Sequence, residues 1–345
     1  MENLLSIDEK GSQPIYKQIV SSILFKISTG ELQINDKIPS INSLSEEYYI
    51  SRDTVERAYN VLKEQKIIKS VRGKGNYIAN STRIAKINVL FLVNKLSSYK
   101  IIIYNAFVKK LGKDYNVVLK IYNCDTSFFI QLLEESMNSY DYYVIMPHFV
   151  ENDKHITCTA DILDKINSIP IEKLIVLDNK IPDIKEDIVS VYQDFEKDIF
   201  NALEEALMTI KKYEQITIVY PGASIYPFPN RILRGVKMFC NKHSIYFETL
   251  EAISKEYRFS KGTLYIVLDE SDLISLLRLE KLSEFSFGKE IGIISYNDTP
   301  LKELMGITVV STDFKLMGNT AAEMVLNATK ITRKNPFKFI NRYSM

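Results

Sequence analysis

The sharpest chemical signal in the chain is Ser51-Arg52-Asp53-Thr54-Val55-Glu56-Arg57-Ala58-Tyr59. Ser51 is of a helix-capping type, and Arg52 and Thr54 follow it in the first helical turn. First-turn side chains of a helix laid in the DNA major groove reach base edges and flanking phosphates. A guanidinium there can donate two hydrogen bonds to guanine, a contact giving about 1–3 kcal/mol of discrimination. The surrounding charge agrees with that chemistry. Residues 51–79 carry seven basic side chains (Arg52, Arg57, Lys63, Lys66, Lys69, Arg72, Lys74) against three acidic ones (Asp53, Glu56, Glu64), whereas the whole chain has a net charge of only +1. Positive charge is thus concentrated where a phosphate backbone would lie. The competing reading is a small helical domain for protein contact, with Arg52 in a surface ion pair.

Other chemistries find little support. The three cysteines (Cys124, Cys158, Cys240) are far apart with no CxxC, and the three histidines (His148, His155, His243) form no HExxH or HxH pair. Neither a disulfide framework nor a metal site is expected, and this cysteine usage fits a reducing, cytoplasmic setting. P-loop, GxGxxG and GxSxG motifs are absent, so no cofactor is expected and an enzyme is the weaker hypothesis. Its one acid–base candidate is His148, for which a structural or solvent-exposed role is the plainer reading. A passive sugar-binding protein, the third hypothesis, would need an export signal, but the first residues are acidic and polar. No apolar run nears the roughly 20 residues of a membrane span, and no membrane contact is expected.

The elements that must hold these residues can be read from periodicity. With 345 residues, 46% of them hydrophobic and 25% charged, the chain suits two or three globular domains. Ile15, Ile19, Ile23 and Ile27 mark one face of a helix ended by Gly30. Ser40 caps a second helix with Ile41, Leu44 and Tyr48, and Ser51 a third with Val55, Ala58, Tyr59 and Leu62 inward. Short β-type runs over 67–79 surround Arg72-Gly73-Lys74-Gly75, the expected tip of a hairpin. Helix, turn, capped helix and hairpin outline a winged helix-turn-helix over residues 1–79. Polar residues 80–86 follow as a linker.

From residue 87 to 345, apolar β-type runs (87–93, 115–122, 141–146, 173–177, 188–191, 216–220, 245–249, 263–268, 291–295) alternate with helical patterns (100–112, 127–139, 159–168, 195–212, 229–242, 271–283, 314–330). The expected fold class is therefore α/β, with parallel sheets flanked by helices. The length suggests two lobes, with the break near residue 213.

Five blocks of the first segment, in order and at matching spacing, resemble the GntR-type winged-helix DNA-binding domain. They are Pro14-Ile15-Tyr16-Lys17-Gln18-Ile19, Gly30-Glu31-Leu32, Ile38-Pro39-Ser40-Ile41-Asn42-Ser43-Leu44, Ser51-Arg52-Asp53-Thr54-Val55 and Gly73-Lys74-Gly75. The resemblance covers residues 12–79. It implies a transcription factor that binds a near-palindromic DNA operator as a homodimer, with helix 51–65 in the major groove and the wing at 72–75 near the minor groove. The DNA-contacting positions so implied are Ser40, Asn42, Ser51, Arg52, Thr54, Arg57, Arg72, Gly73, Lys74 and Gly75. The family commonly has Arg where this chain has Asn42, and Val-Arg where it has Val55-Glu56, with Arg57 one place later. One residue rotates a helical side chain by about 100°, so the family arginine's role is not carried to Arg57.

Residues 86–345 resemble the sugar-sensing domain of LacI/GalR regulators, built like a periplasmic binding protein. The similarity rests on Ile87-Asn88-Val89-Leu90-Phe91-Leu92-Val93, Tyr142-Tyr143-Val144-Ile145-Met146-Pro147, Leu174-Ile175-Val176-Leu177-Asp178, Ile216-Thr217-Ile218-Val219-Tyr220 with Arg231 to Gly235, Ile291-Gly292-Ile293-Ile294-Ser295-Tyr296-Asn297-Asp298, and Ser311-Thr312-Asp313-Phe314 with Met317-Gly318. It implies a two-lobed effector domain that closes on a small molecule, a sugar or sugar derivative, and so controls DNA affinity, most simply as a repressor. Arg231, Asn297, Asp298 and Asp313 fall at the family's ligand positions, with Arg234 a rival for Arg231. Asp269 ends a strand and is a further candidate; capping of the following helix is the other reading of Asp269 and Asp298. A stacking wall for a sugar ring would come from Tyr99 and from Tyr226 or Phe228.

Overall fold

In the computed structural model, the residues described are 4, 5, 7, 14–79, 86–181, 188–221 and 225–345. The expected linker at 80–86 lies outside them except for Lys86. By backbone packing the chain forms two compact units: Met1–Phe91 with Leu111–Val118 and Gln131–Tyr143, and Leu92–Lys110 with Leu119–Ile130 and Val144–Met345.

The amino-terminal segment is α1 (Ile15–Ser28), β1 (Lys37–Ile38), α2 (Ile41–Glu47), α3 (Arg52–Glu64), β2 (Ile68–Val71) and β3 (Gly75–Ile78). Its core follows from the four-residue apolar steps. Ile19 and Ile23 of α1, Leu44 of α2 and Val55, Ala58, Tyr59 and Leu62 of α3 are all fully buried in one cluster. The strands form an antiparallel sheet in the order β1-β3-β2, with Ile68 opposite Ile78 and Val71 opposite Gly75. Gly73 and Gly75 hold φ of +74° and +112°, which only glycine adopts cheaply, and these angles let the chain reverse at Arg72–Lys74.

The remaining strands are β4 (Ile87–Val93), β5 (Tyr115–Ile121), β6 (Tyr142–Ile145), β7 (Phe149–Glu151), β8 (Lys154–Ile156), β9 (Leu174–Asn179), β10 (Val189–Gln193), β11 (Gln215–Val219), β12 (Tyr246–Leu250), β13 (Thr263–Val267), β14 (Gly292–Tyr296), β15 (Thr308–Thr312), β16 (Thr332–Lys334) and β17 (Phe337–Ile340). Between them run α4 (Ser98–Leu111), α5 (Thr126–Ser136), α6 (Ala160–Asn167), α7 (Phe195–Glu205), α8 (Leu207–Ile210), α9 (Asn230–His243), α10 (Glu270–Glu280), α11 (Pro300–Leu304) and α12 (Phe314–Asn327). Two six-stranded sheets result, ordered β16-β10-β9-β6-β4-β5 and β12-β11-β13-β14-β15-β17, while β7 and β8 form a separate hairpin. The architecture is α/β and two-lobed. In the second sheet every pair between β12 and β15 is parallel, and only the edge strand β17 is antiparallel.

Strand parity explains why the second sheet reads as continuous apolar runs. Ile216, Ile218, Leu264, Ile266, Ile294 and Val310 bury one face together with α7 and α9. Val219, Tyr265, Val267, Ile293 and Val309 bury the opposite face together with α10. Alternate residues of one strand thus serve two cores, as a sheet covered on both sides requires.

The lobe break differs from the expected one near residue 213. Phe195 and Ile199 of α7 already belong to the second lobe's core, so the chain crosses at Gln193–Asp194. It crosses twice more. After β15 it enters α12, which packs on β9 and β10. β16 then pairs with β10 of the first sheet and β17 with β15 of the second, so the last crossing is at Asn335–Pro336. The three crossings are laced together. The buried Asn335 amide donates to Thr312 Oγ1 (2.8 Å) and to the Asp313 carbonyl (2.9 Å), and its backbone N–H to the Tyr192 carbonyl (2.8 Å). The Asp198 carboxylate accepts from the Asp194 N–H (2.8 Å) and pairs with Lys334 (2.5 Å).

Candidate DNA interface and effector cavity

Capping geometry fixes the starts of α2 and α3, where the expected DNA-contacting residues lie. Ser40 Oγ accepts from the Ser43 N–H (3.1 Å) at the start of α2, and Ser51 Oγ accepts from the Thr54 N–H (3.2 Å) at the start of α3. Both caps satisfy an amide that helix geometry leaves open. Ser40, Asn42 and Arg52 then line one shallow surface depression with Asp53, Glu56 and Asn76. Arg52 is exposed. Thr54 is turned toward its cap, its hydroxyl 2.7 Å from Ser51 Oγ. Arg57 is placed differently from the rest: its guanidinium lies 4.1 Å from the centre of the Tyr16 ring, against α1. Arg72, Gly73 and Lys74 form the exposed tip of the hairpin, with Gly75 just inside it.

A cavity of about 410 Å³ opens at the carboxyl ends of strands from both sheets. Asn94 to Tyr99 follow β4, His148 follows β6, and Gln193 ends β10. From the second lobe come Tyr226 to Pro229 after β11, Leu268 to Glu270 after β13, Tyr296 and Asn297 at the end of β14, and Lys302 on α11. Open α/β sheets place ligands at just these strand ends. Among the described residues, buried polar atoms without a hydrogen-bond partner include Gln193 Oε1, Tyr296 OH and Asn297 Oδ1. All three residues line this cavity. Asn297 also holds a left-handed backbone, φ +64°, the kind of local strain that gathers at binding sites.

Of the expected effector residues, Tyr99, Tyr226, Asp269 and Asn297 line the cavity. Tyr99 is stacked on Phe314, ring centres 4.8 Å apart. Asp269 also caps α10, its Oδ1 accepting from the N–H and hydroxyl of Ser271 at 2.8 and 2.6 Å. Three residues are placed elsewhere. Asp298 forms a two-pronged ion pair with Arg342 (2.8 and 2.7 Å) and caps no helix, because Thr299 is the cap of α11. Asp313 caps α12, its Oδ1 accepting from the Leu316 N–H at 2.8 Å, and stands at a chain crossing. Arg231 does not line the cavity; it donates to Asn179 Oδ1 and lies over Phe195. Its rival Arg234 is paired with Glu196 (3.1 Å).

Sequence reasoning missed the polar group under the cavity. Asp178 Oδ2 is 2.9 Å from His148 Nε2, and His148 Nδ1 is 2.8 Å from His155 Nε2. The carboxylate can only accept, so His148 donates through Nε2 and accepts at Nδ1 from His155. Gln193 donates to the other Asp178 oxygen. Burial, with Lys100 nearby, holds His148 below its ordinary range despite Asp178. His155 is pushed down to about 2 by burial and by His148. Burial raises Asp178, but the His148 hydrogen bond, the Lys100 charge and the Gln193 hydrogen bond outweigh it and keep the carboxyl ionised. With both ring nitrogens engaged, His148 has no free lone pair for acid–base work.

Residues 15–78 match the model of the bacterial regulatory proteins of the gntR family. They form a GntR-type winged helix-turn-helix domain. This domain is 40% identical over 68 residues to the mannosyl-D-glycerate transport/metabolism system repressor MngR of Escherichia coli (strain K12). The match covers 20% of this chain and spans 28% of that relative's length. The GntR-type domain is fused to one with the fold of LacI-type regulators. A LacI family transcriptional regulator from Enterococcus faecium, solved with bound ribose, superimposes with a TM-score of 0.57 at 18% identity, covering 75% of this chain and 98% of that one. The lac repressor dimer bound to operator and the anti-inducer ONPF gives a TM-score of 0.59 at 16% identity, over 78% and 99%. Among the described residues no helix is long and apolar enough to cross a membrane, and no cluster of three His, Cys, Asp or Glu could hold a metal ion.

Proposed function

We propose that the chain is a ligand-responsive transcriptional repressor. Residues 1–79 read a near-palindromic operator, residues 80–86 link, and residues 87–345 bind a sugar-type effector. The carrying observation is the pairing, in one chain, of a GntR-type head exposing Arg52 with a LacI-type fold whose cavity holds unpartnered polar atoms. α3 enters the major groove with Arg52 on base edges, and the Arg72–Gly75 wing follows the backbone. A homodimer places two heads on half-sites about one helical turn apart; the lac repressor, similar in fold, also binds its operator as a dimer. In the cavity Asn297 and Asp269 take sugar hydroxyls, and Tyr99 and Tyr226 flank the ring. The relatives similar to the head carry regulator names, and His148 offers no free base, so a regulator is favoured over an enzyme.

The test is to select operator fragments from a random DNA library with the full chain, then titrate the selected duplex with and without monosaccharides. Enrichment of an inverted repeat, with affinity changed by at least one sugar, is the expected result. Failure to enrich any sequence would remove the DNA-reading assignment. An operator affinity indifferent to every sugar would remove the effector assignment.

A further inference from the structure

Glu56 stands four residues after Arg52 on α3, so the two side chains share one helix face, about 6 Å apart along the axis. Both are exposed. Both line the depression that Ser40 and Asn42 border from the start of α2 and Asn76 from β3. Among the described residues neither forms an ion pair within 4 Å. The other acid of this lining, Asp53, lies in the first turn of α3, where the helix dipole favours a negative charge. Glu56 is one turn further on, beyond the reach of that effect. Arg57, the next residue, is turned away, its guanidinium 4.1 Å from the centre of the Tyr16 ring. The reading face of α3 therefore presents an uncommitted carboxylate beside an uncommitted guanidinium.

A carboxylate on such a face is repelled by the phosphates of every sequence. It accepts hydrogen bonds and donates none. In the major groove guanine shows the acceptors N7 and O6, and thymine the acceptor O4, so against either base a carboxylate meets lone pairs with lone pairs. Adenine offers its N6 amino group but sets the acceptor N7 beside it. Cytosine offers the N4 amino donor with no acceptor of its own on that edge. Bases of one strand are spaced about 3.4 Å apart, so a side chain about 6 Å beyond Arg52 meets a base one or two steps away. The guanidinium calls for acceptors and the carboxylate for a donor. A guanine with a cytosine close by answers both, and the donor contact offsets the phosphate repulsion at that sequence alone.

We propose that Glu56 is a second base-reading residue, its carboxylate accepting from the N4 amino group of a cytosine one or two base pairs from the guanine read by Arg52, once in each half-site. This rests on the reading of the amino-terminal domain as the operator-binding head, and the experiment separates the two. Operator fragments are selected from a random DNA library with the full chain and with its Glu56→Ala and Glu56→Gln variants. Glu56 is exposed, so both variants keep the fold. The parent should enrich an inverted repeat with a fixed cytosine one or two steps from a fixed guanine. Glu56→Ala should lose the preference at the cytosine position alone, and should bind random-sequence DNA more tightly than the parent does. Glu56→Gln should move that preference toward adenine, whose N6 and N7 a glutamine amide engages together. In titrations of the selected duplex, replacing the cytosine by thymine should weaken the parent about fivefold or more and leave Glu56→Ala unaffected. Enrichment of the same sequence by parent and Glu56→Ala overturns the proposal and leaves the head reading standing, as does a Glu56-dependent position that is not cytosine. No enrichment by the parent overturns both.

Discussion

At the scale of single residues, function depends on which side chains are left uncommitted. Arg52 is exposed at the start of α3, and its removal costs the fold little. Arg52→Ala should abolish sequence-selective operator binding, with stability within about 0.5 kcal/mol of the parent. Fluorescence anisotropy beside urea unfolding measures both. Arg57→Ala removes the stack on Tyr16, so its main effect should be a stability loss of about 0.5–1 kcal/mol. An unchanged stability with all operator binding lost would refute that assignment.

The buried histidines make a second prediction at the same scale. His148 and His155 have folded-state pKa values lowered from their ordinary value, His155 to about 2. Below the unfolded pKa, near 6.5, the unfolded chain takes up protons that these imidazoles refuse. Their contribution is therefore complete above that pH and lost as pH falls toward the folded values, by up to about 1.4 kcal/mol per pH unit for each imidazole. The melting temperature should drop between pH 7 and pH 5, and His155→Gln should flatten the drop. A profile identical in variant and parent would discount the His155 contribution. None of this network is legible in the sequence, because its members come from the loop after β6, from β8 of the separate hairpin and from β9 and β10, and meet only in the folded chain. The same holds for Asp298, whose partner Arg342 lies 44 residues away.

At the scale of elements, local rules carried the reading where they were strong. Both serine caps, the inward face of α3 and the glycine-tipped hairpin were legible because each is decided within a few residues. Ser51→Ala should cost about 1 kcal/mol, and operator affinity should fall with it as the first turn frays. The long apolar strands were legible from continuity. β15 was not, because Thr308, Ser311 and Thr312 are polar by type yet buried, with hydroxyls bonded to the chain. β16 is three exposed residues and carries no pattern at all. Packing between helices sets a sharper limit. A Cβ on Gly235 of α9 would stand 2.4 Å from the Glu196 carbonyl oxygen and 2.4 Å from Ile199. Neither backbone nor buried isoleucine can yield cheaply, so Gly235→Ala should destabilise the second lobe by about 1–3 kcal/mol. Denaturant unfolding decides it, and a neutral result would show that α7 and α9 can separate.

At the scale of the molecule, response to an effector depends on how the lobes are joined. Three chain crossings do this, and Asn335 binds them side by side through Thr312, Asp313 and Tyr192. The carboxyl-terminal return is not legible in the sequence because the lobes look sequential, and Asp313 stands at one of the crossings. Asn335 is 2% exposed, so truncation strands buried polar partners at a cost of about 1–3 kcal/mol. Asn335→Ala should lower stability by that amount and also uncouple the ends of the chain functionally. Coupling between effector and operator is reciprocal: whatever factor one imposes on the other's affinity is returned in equal measure. In the parent, operator titrations with and without effector, and effector titrations with and without operator, should therefore yield one common factor. In Asn335→Ala each ligand should still bind, but that shared factor should move toward unity in both directions. A variant that loses stability while keeping the full factor would place the transmission of the signal outside the crossings.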